Sequence, residues 1–299
     1  MSNHEIIGIP EEQHVRYAIS IPNFGDWADP RTMVELARDA EAAGWDGFFL
    51  WDHIRFSASP LPVQDPWVLL SAIATVTERM TIGPMVTPLP RRRPWVVARQ
   101  AVSLDHLSNG RVLLGVGIGE PVDVELTAFG EPGDRKVRAA MLDEALSIIS
   151  GLWSGEEFSF SGDHYQLAPM TFLPRPVQEP RIPIIVAGYW PNRGPIRRAA
   201  RWDGMNPLFP RPTEGWAEKF SALLAELKAN HPETGLPFEM FDGGHTPGED
   251  DPAESARLGA TWWVESLDPW RYGWDGTAAG WPDIGPVRDR VRQGPPSGP

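Results

Sequence analysis

The stretch Leu104-Asp105-His106-Leu107-Ser108-Asn109-Gly110-Arg111-Val112-Leu113-Leu114-Gly115-Val116-Gly117-Ile118-Gly119-Glu120 runs from the end of an amphipathic helix, 94–107, into an aliphatic strand, 112–116, and out through alternating glycines. Read outward in both directions, the same order recurs. Short β-branched or aliphatic runs at 15–21, 47–51, 81–86, 112–116, 183–187, 204–207, 238–241 and 261–264 read as strands. Helical stretches follow at 30–43, 66–77, 94–107, 135–152, 195–201, 215–230, 252–257 and 284–293, several opening on a proline whose missing N–H costs nothing there. Strand then helix, eight times over, predicts a parallel sheet closed on itself, the (β/α)8 barrel of TIM type; a doubly wound sheet rarely needs eight units. The expectation is one α/β barrel domain over 1–293 and a loose Gly/Pro/Ser tail at 294–299. The segment 157–176 breaks the rhythm: Phe158-Ser159-Phe160 and His164-Tyr165-Gln166 flank Ser161-Gly162-Asp163, which reads as a small hairpin inserted between helix four and strand five.

Composition narrows the chemistry. The 299 residues carry 27 Lys+Arg against 40 Asp+Glu, a net charge of −13, and only three of the cations are lysines, Lys136, Lys219 and Lys228. Between residues 239 and 275 two cations face nine acids, so −7 of the total lies in that stretch. Such a chain lacks the basic face that nucleic acid or an anionic membrane requires, although a few arginines can still hold one small anion. The absence of cysteine removes disulfides, thiolate metal sites, iron–sulfur clusters and thiol catalysis. The seven histidines show neither H-x-H nor H-E-x-x-H spacing, so no metal site is expected; G-x-S-x-G and P-loop motifs are also missing. Met1-Ser2-Asn3-His4-Glu5 has no leader-like basic and apolar regions, and no apolar run approaches roughly 18 residues. A cytoplasmic location without a membrane span is the expectation.

Barrel enzymes build their sites at the C-terminal ends of the strands. Here the exit of strand two carries Asp52-His53, where a carboxylate beside an imidazole suits acid/base work or, equally, a hydrogen-bonded loop cap. Gly115, Gly117 and Gly119 fall on one face of strand four, leaving space for a flat ligand or allowing close packing of the strand. Their spacing is not the dinucleotide fingerprint. Glu120 at their end is a proton donor or acceptor, or a helix-start carboxylate. After strand five, Gly188-Tyr189-Trp190-Pro191-Asn192-Arg193-Gly194-Pro195 leads into a helix read as starting at Pro195; its free N–H groups with Asn192 and Arg193 suit a phosphate. Arg91-Arg92-Arg93 after strand three is a second cation cluster or a solvated turn.

With these pieces in order the chain resembles the bacterial-luciferase-like family of flavin- or deazaflavin-dependent oxidoreductases. The residues that carry the resemblance are Gly44-Trp45-Asp46-Gly47-Phe48-Phe49-Leu50-Trp51-Asp52-His53, the stretch 94–98, the opening stretch from Leu104 to Gly119, and Ala199-Ala200-Arg201-Trp202-Asp203-Gly204. They cover residue 15 to about residue 200, and more loosely strands seven and eight. The Leu104 to Gly119 string is the specific one.

The resemblance implies a barrel binding reduced FMN or coenzyme F420 at its C-terminal mouth, with a flat ring against strands three and four and a phosphate near the loop after strand five. It implies catalytic roles for His53 and Glu120 in proton handling and for Asp52 beside the ring. It further implies a non-prolyl cis bulge at Pro84-Met85-Val86 against that ring. Cofactor contacts are therefore expected at Asp52, Met85, Val86, Gly117, Gly119, Gly188, Asn192, Arg193 and Gly194. Phe24, Trp51, Trp270 and Trp274 are the candidate substrate-pocket residues; with Tyr272 and Trp281 the late aromatics form a lid that excludes water or a flap packed on the barrel.

The expected activity is hydride transfer between noncovalently bound F420 or FMN and a small organic substrate. The alternatives are a two-component FMNH2-dependent monooxygenase using O2 with a separate flavin reductase as partner, and a non-catalytic flavin-binding barrel. A homodimer fits families of this kind. Tyr189-Trp190 stands where many relatives have Gly-Gly, a departure that bears on the substrate more than on the cofactor site.

Overall fold

The structure is a computed structural model that describes residues 15–209, 214–231, 236–248 and 250–296. Elements follow the chain as β1 (Arg16–Ile21), α1 (Pro30–Ala42), β2 (Gly47–Leu50), α2 (Pro66–Ala74), β3 (Thr81–Pro84), β4 (Thr87–Pro88), α3 (Pro94–Ser108), β5 (Leu114–Gly117), α4 (Val122–Glu125) and α5 (Arg135–Trp153). Then come β6 (Glu157–Ser161), β7 (Gln166–Thr171), β8 (Ile184–Tyr189), α6 (Arg193–Ala199), β9 (Gly204–Leu208), α7 (Trp216–Asn230), β10 (Glu239–Gly244), α8 (Pro252–Arg257), β11 (Trp262–Ser266) and α9 (Gly285–Arg292).

Nine strands form one sheet in the order β3-β2-β1-β11-β10-β9-β8-β5-β4, and the pairings are parallel. The two ends meet: Ile82 bridges Val112 in parallel, with Ile82 N donating to Arg111 O at 2.9 Å and Leu113 N to Ile82 O at 3.0 Å. β3 and β4 are thus two halves of one barrel strand, β3 pairing with β2 and β4 with β5. The continuous strand expected over 81–86 is interrupted at Met85–Val86, whose peptide bond is cis. The antiparallel pair β6–β7 lies between α5 and β8; its turn is held by the Glu144 carboxylate, which accepts from the amides of Asp163, His164 and Tyr165. That capping delays the second strand to Gln166, where the sequence suggested His164.

The strands are apolar on both sides because both sides are covered. Ala18, Phe49, Met85, Leu113, Ile185, Phe241 and Trp262 fill the barrel's lumen, with Phe241 stacked on Trp262 at 5.6 Å and Phe49 edge-on to it at 5.7 Å. The lumen is a packed core, so space for a ligand exists only above it, at the strand ends. A second, larger layer joins the outward strand residues to the helices.

Local signals start and stop the helices. Asp65 caps α2 by accepting from Trp67 N at 2.9 Å and Val68 N at 3.0 Å, with Pro66 at the first position. Asp65→Ala is expected to lower stability by about 1 kcal/mol, measured as a shifted urea midpoint with an unchanged slope; an unchanged midpoint would show that the cap contributes nothing. α3 ends on Asn109 and Gly110, both left-handed at φ 56 and 79.

Within the opening stretch the side chains are architectural. Buried Asp105 accepts from Val177 N, Gln178 N and Gln178 Nε2, and the Arg111 guanidinium donates to the carbonyls of Ala74, Thr77, Met80 and Ser108. Both stand at the N-terminal end of β5, across the barrel from its mouth. α6 begins at Arg193 with Asn192 as its N-cap residue, two residues earlier than Pro195 suggested. Of the sequence expectations, residues 1–14 and the tail residues 297–299 lie outside the described residues.

Candidate active site at the barrel mouth

A cavity of about 1190 Å³ opens over the C-terminal strand ends. It exceeds the roughly 300–1,000 Å³ usual for one small ligand, so a cofactor and a substrate fit together. Its wall includes Trp51, Asp52, His53, Met85, Val86, Gly117, Gly119, Glu120, Gly188, Asn192, Arg193 and Gly194, which the barrel thus brings together from four separate strand exits.

Asp52 is the anchor. Its side chain is inaccessible to solvent; Oδ1 accepts from Arg91 Nη2 at 2.9 Å and Arg92 Nη2 at 2.6 Å, and Oδ2 from Thr87 Oγ1 at 2.8 Å. Burial opposes its ionisation, but Arg92 and Arg91, with the hydrogen bonds from Arg92 and Thr87, outweigh it and hold the carboxyl below its ordinary range. A carboxylate so saturated stays ionised and ties Arg91, Arg92 and Thr87 together. Arg91 and Arg92 therefore face inward, while Arg93, the third member of that cluster, is exposed.

His53 follows on a loop clamped by buried Asn23, which accepts from His53 N at 3.1 Å and donates to His53 O at 2.8 Å and Gln64 O at 2.7 Å. Its ring lies edge-on to Phe56 at 4.9 Å and Phe24 at 5.6 Å. Nδ1 faces Glu125 Oε2 at 3.4 Å. Glu125, at the end of α4, escaped the sequence reading. It is fully buried and accepts from Ile54 N at 3.0 Å and Arg55 N at 3.1 Å, with Arg91 Nε at 3.0 Å. Glu120 differs: its side chain is half exposed, 3.7 Å from Arg138 Nη2, and Arg138 itself donates to the carbonyls of Ile118 and Gly119.

Several of the expected site residues also pack or pair with the protein itself. A Cβ on Gly115 would lie 2.5 Å from Pro84 O, and one on Gly117 3.0 Å from Val86 Cγ2, so these glycines admit the Met85–Val86 bulge rather than leave a bare face. It is Val86, seated on Gly117, that forms the apolar wall. Gly188 is needed for close packing, since its Cβ would lie 2.2 Å from Pro195 Cβ, whereas Gly194 faces open space. The Arg193 guanidinium is paired with Glu226 on α7 at 2.5 Å. Phe24, Trp270 and Trp274 do not line the cavity. They back it: Phe24 stacks on the lining residue Phe56 at 4.3 Å, Trp274 lies 6.2 Å from Phe56, and half-exposed Trp270 stacks at 6.4 Å on Trp51.

The structure adds Arg135 and Lys136, exposed residues of the first turn of α5 that line the cavity without an ion-pair partner among the described residues. Cations there oppose the helix dipole, a cost that a bound anion offsets. The lining suits the flat ring and phosphate arm shared by FMN and F420: Met85 and Val86 are apolar, and Asn192, Gly194, Arg135 and Lys136 offer donors to an anion. Among the described residues no group of His, Asp and Glu is arranged to hold a metal ion, and no helix is long and apolar enough to cross a membrane.

The family model for luciferase-like monooxygenases matches residues 10–263. The chain is 32% identical over 279 residues to an F420-dependent glucose-6-phosphate dehydrogenase of Beutenbergia cavernae, covering 80% of this chain and 81% of that one. It spans about half the length of several other curated relatives it matches. Among solved structures, the coenzyme F420-dependent tetrahydromethanopterin reductase of Methanopyrus kandleri is similar in fold, with a TM-score of 0.66 at 14% identity over 94% of this chain and 96% of that one. The FMN-bound oxygenating constituent of 3,6-diketocamphane monooxygenase from Pseudomonas putida gives 0.62 at 18% identity, covering 77% and 67%.

Proposed function

The chain belongs to the luciferase-like monooxygenase family, and from that premise we propose that it is an oxidoreductase which binds F420 or FMN noncovalently and moves a hydride between that cofactor and a small organic substrate. The observation that carries this reading is His53, on the wall of a cavity large enough for two ligands and held from behind by Asn23 and a buried carboxylate. The similarity to F420-dependent dehydrogenases supports it.

In this reading the Met85–Val86 wall supports the ring, and Arg135, Lys136, Asn192 and Gly194 receive the phosphate arm. When bound, the cofactor ring supplies or accepts the hydride. His53 takes or returns the proton of the substrate's hydroxyl or carbonyl oxygen, and Glu120 serves a second proton position on the opposite wall. Asp52 keeps the loop that presents His53 rigid. Trp51 and Phe56, backed by Phe24, Trp270 and Trp274, exclude water from the reacting atoms.

Titration of the purified protein with F420, FMN and FMNH2, followed by ring absorbance and fluorescence, tests the proposal. Tight F420 binding without an effect of FMNH2 selects the dehydrogenase chemistry; rapid O2 consumption with FMNH2 selects the two-component monooxygenase. Binding of none of the three removes the cofactor assignment.

A further inference from the structure

We propose that Glu125 is a positioning residue for His53: it fixes the proton on Nδ1 and so presents Nε2 to the cavity as the proton acceptor. The catalytic use of that nitrogen rests on the proposed function; the choice of tautomer stands on the geometry alone.

Glu125 is fully buried, yet it caps no regular element and joins no surface network. Its Oε1 accepts from Ile54 N, with the Arg91 guanidinium as an ion-pair partner 3.0 Å away, and its Oε2 accepts from Arg55 N. Glu125 Oε2 lies 3.4 Å from His53 Nδ1, a buried nitrogen with no hydrogen-bond partner among the described residues, and a carboxylate oxygen has a second lone pair to offer it. The aromatic rings beside the imidazole, those of Phe24, Trp51 and Phe56, offer no acceptor, while Asn23 is spent on the His53 backbone. A neutral imidazole must donate from one nitrogen and accept at the other, and an acceptor-only group beside Nδ1 selects the Nδ1–H form. Hydrogen bonds at catalytic groups are commonly long before substrate arrives, and 3.4 Å leaves room for closure.

Arg91 links this arrangement to the anchor. Its Nη2 binds Asp52 Oδ1 at 2.9 Å and its Nε lies 3.0 Å from Glu125 Oε1, so one guanidinium ties together the carboxylates on either side of His53. In the oxidative direction the substrate O–H bond breaks and its proton goes to Nε2. A bound cofactor would supply the hydride acceptor, so that the carbinol, losing its proton to Nε2 and a hydride from carbon, would become a carbonyl. Without Glu125 the ring is free to place its proton on Nε2, where it cannot act as the base.

Long-range proton–nitrogen correlation spectra of the neutral histidines test this without cofactor or turnover, with the His53 signals assigned by their loss in His53→Gln. The expected result is a protonated Nδ1 and an unprotonated Nε2. A protonated Nε2 overturns the proposal, and this holds whether or not the protein proves to be a dehydrogenase. In Glu125→Gln, which keeps the shape of the side chain, the Nδ1–H form is expected to lose its dominance and kcat to fall about 10- to 100-fold, with KM and cofactor affinity little changed. A folded Glu125→Gln with an unaltered His53 tautomer, or with the altered tautomer and full kcat, overturns it equally.

Discussion

Replacing His53 with alanine is expected to slow turnover by about two to four orders of magnitude while leaving cofactor binding largely intact. The size follows from losing a positioned proton acceptor, and the selectivity from what the substitution leaves alone. Asn23 holds the His53 loop through the backbone N and O, which alanine retains, and the Asp52 anchor depends on Arg91, Arg92 and Thr87, none of which touches the imidazole through a hydrogen bond. Glu120→Gln is expected to fall in the same range, its half-exposed carboxylate being a proton group rather than a packing group. Steady-state rates beside a fluorescence titration of F420 or FMN and a thermal melt check all three statements. Wild-type rates in both variants would demote the two residues to structure.

Removing the Asp52 carboxylate should act on the fold itself. Asp52→Ala is expected to cost about 3 kcal/mol, because it removes the carboxylate that the nearly buried Arg91 and Arg92 guanidiniums share and leaves Arg91 with Glu125 alone, and breaking a buried pair from one side is far more costly than the net worth of the pair. Urea unfolding measures the loss, and a change below about 1 kcal/mol, the scale of an exposed pair, would mean that water reaches the two arginines. The same chemistry sets the acid limit of the protein. Burial pushes against ionisation of Asp52 and of Glu265, yet Arg92 and Arg91 in one case, and Arg271, Thr246 and Arg290 in the other, hold both below their ordinary range. Carboxyls depressed on folding contribute stability that is present above the unfolded value, about pH 4, and lost as pH falls through the folded values. Asp203 has the opposite sign: burial raises it despite Arg181, so its protonation relieves the fold. In a variant lacking Asp52, which is less stable at neutral pH, stability should therefore fall less steeply with pH below about pH 4, because that variant has already lost the stability that acid removes.

The opening stretch shows how a motif can be diagnostic without being catalytic. Asp105 and Arg111 are spent on loop amides and carbonyls at the base of the barrel, where they fix the height at which β5 enters the sheet. The mouth inherits its geometry from that placement. Glu125 shows the reverse. Nothing in Val122-Asp123-Val124-Glu125 marks it, because its burial is made by the Ile54 amide, 71 residues away, and by Arg91 from a third loop.

The alternation of strand and helix was legible in the chain, and with it the barrel and its mouth, while the family resemblance rested on the Leu104 to Gly119 string. Periodicity, proline placement and apolar runs are local properties, and a parallel sheet covered on both faces leaves them legible. Only the tertiary structure shows which charges anchor one another and which stay open to the cavity. It turned Arg91 and Arg92 inward to Asp52, tied Arg193 to Glu226, filled the faces of Gly115 and Gly117 with the Met85–Val86 bulge, and moved Phe24 and Trp274 behind the cavity wall. Those outcomes depend on which loops converge at the mouth and on how completely each side chain leaves water, and desolvation and pairing are set by neighbours distant in the chain.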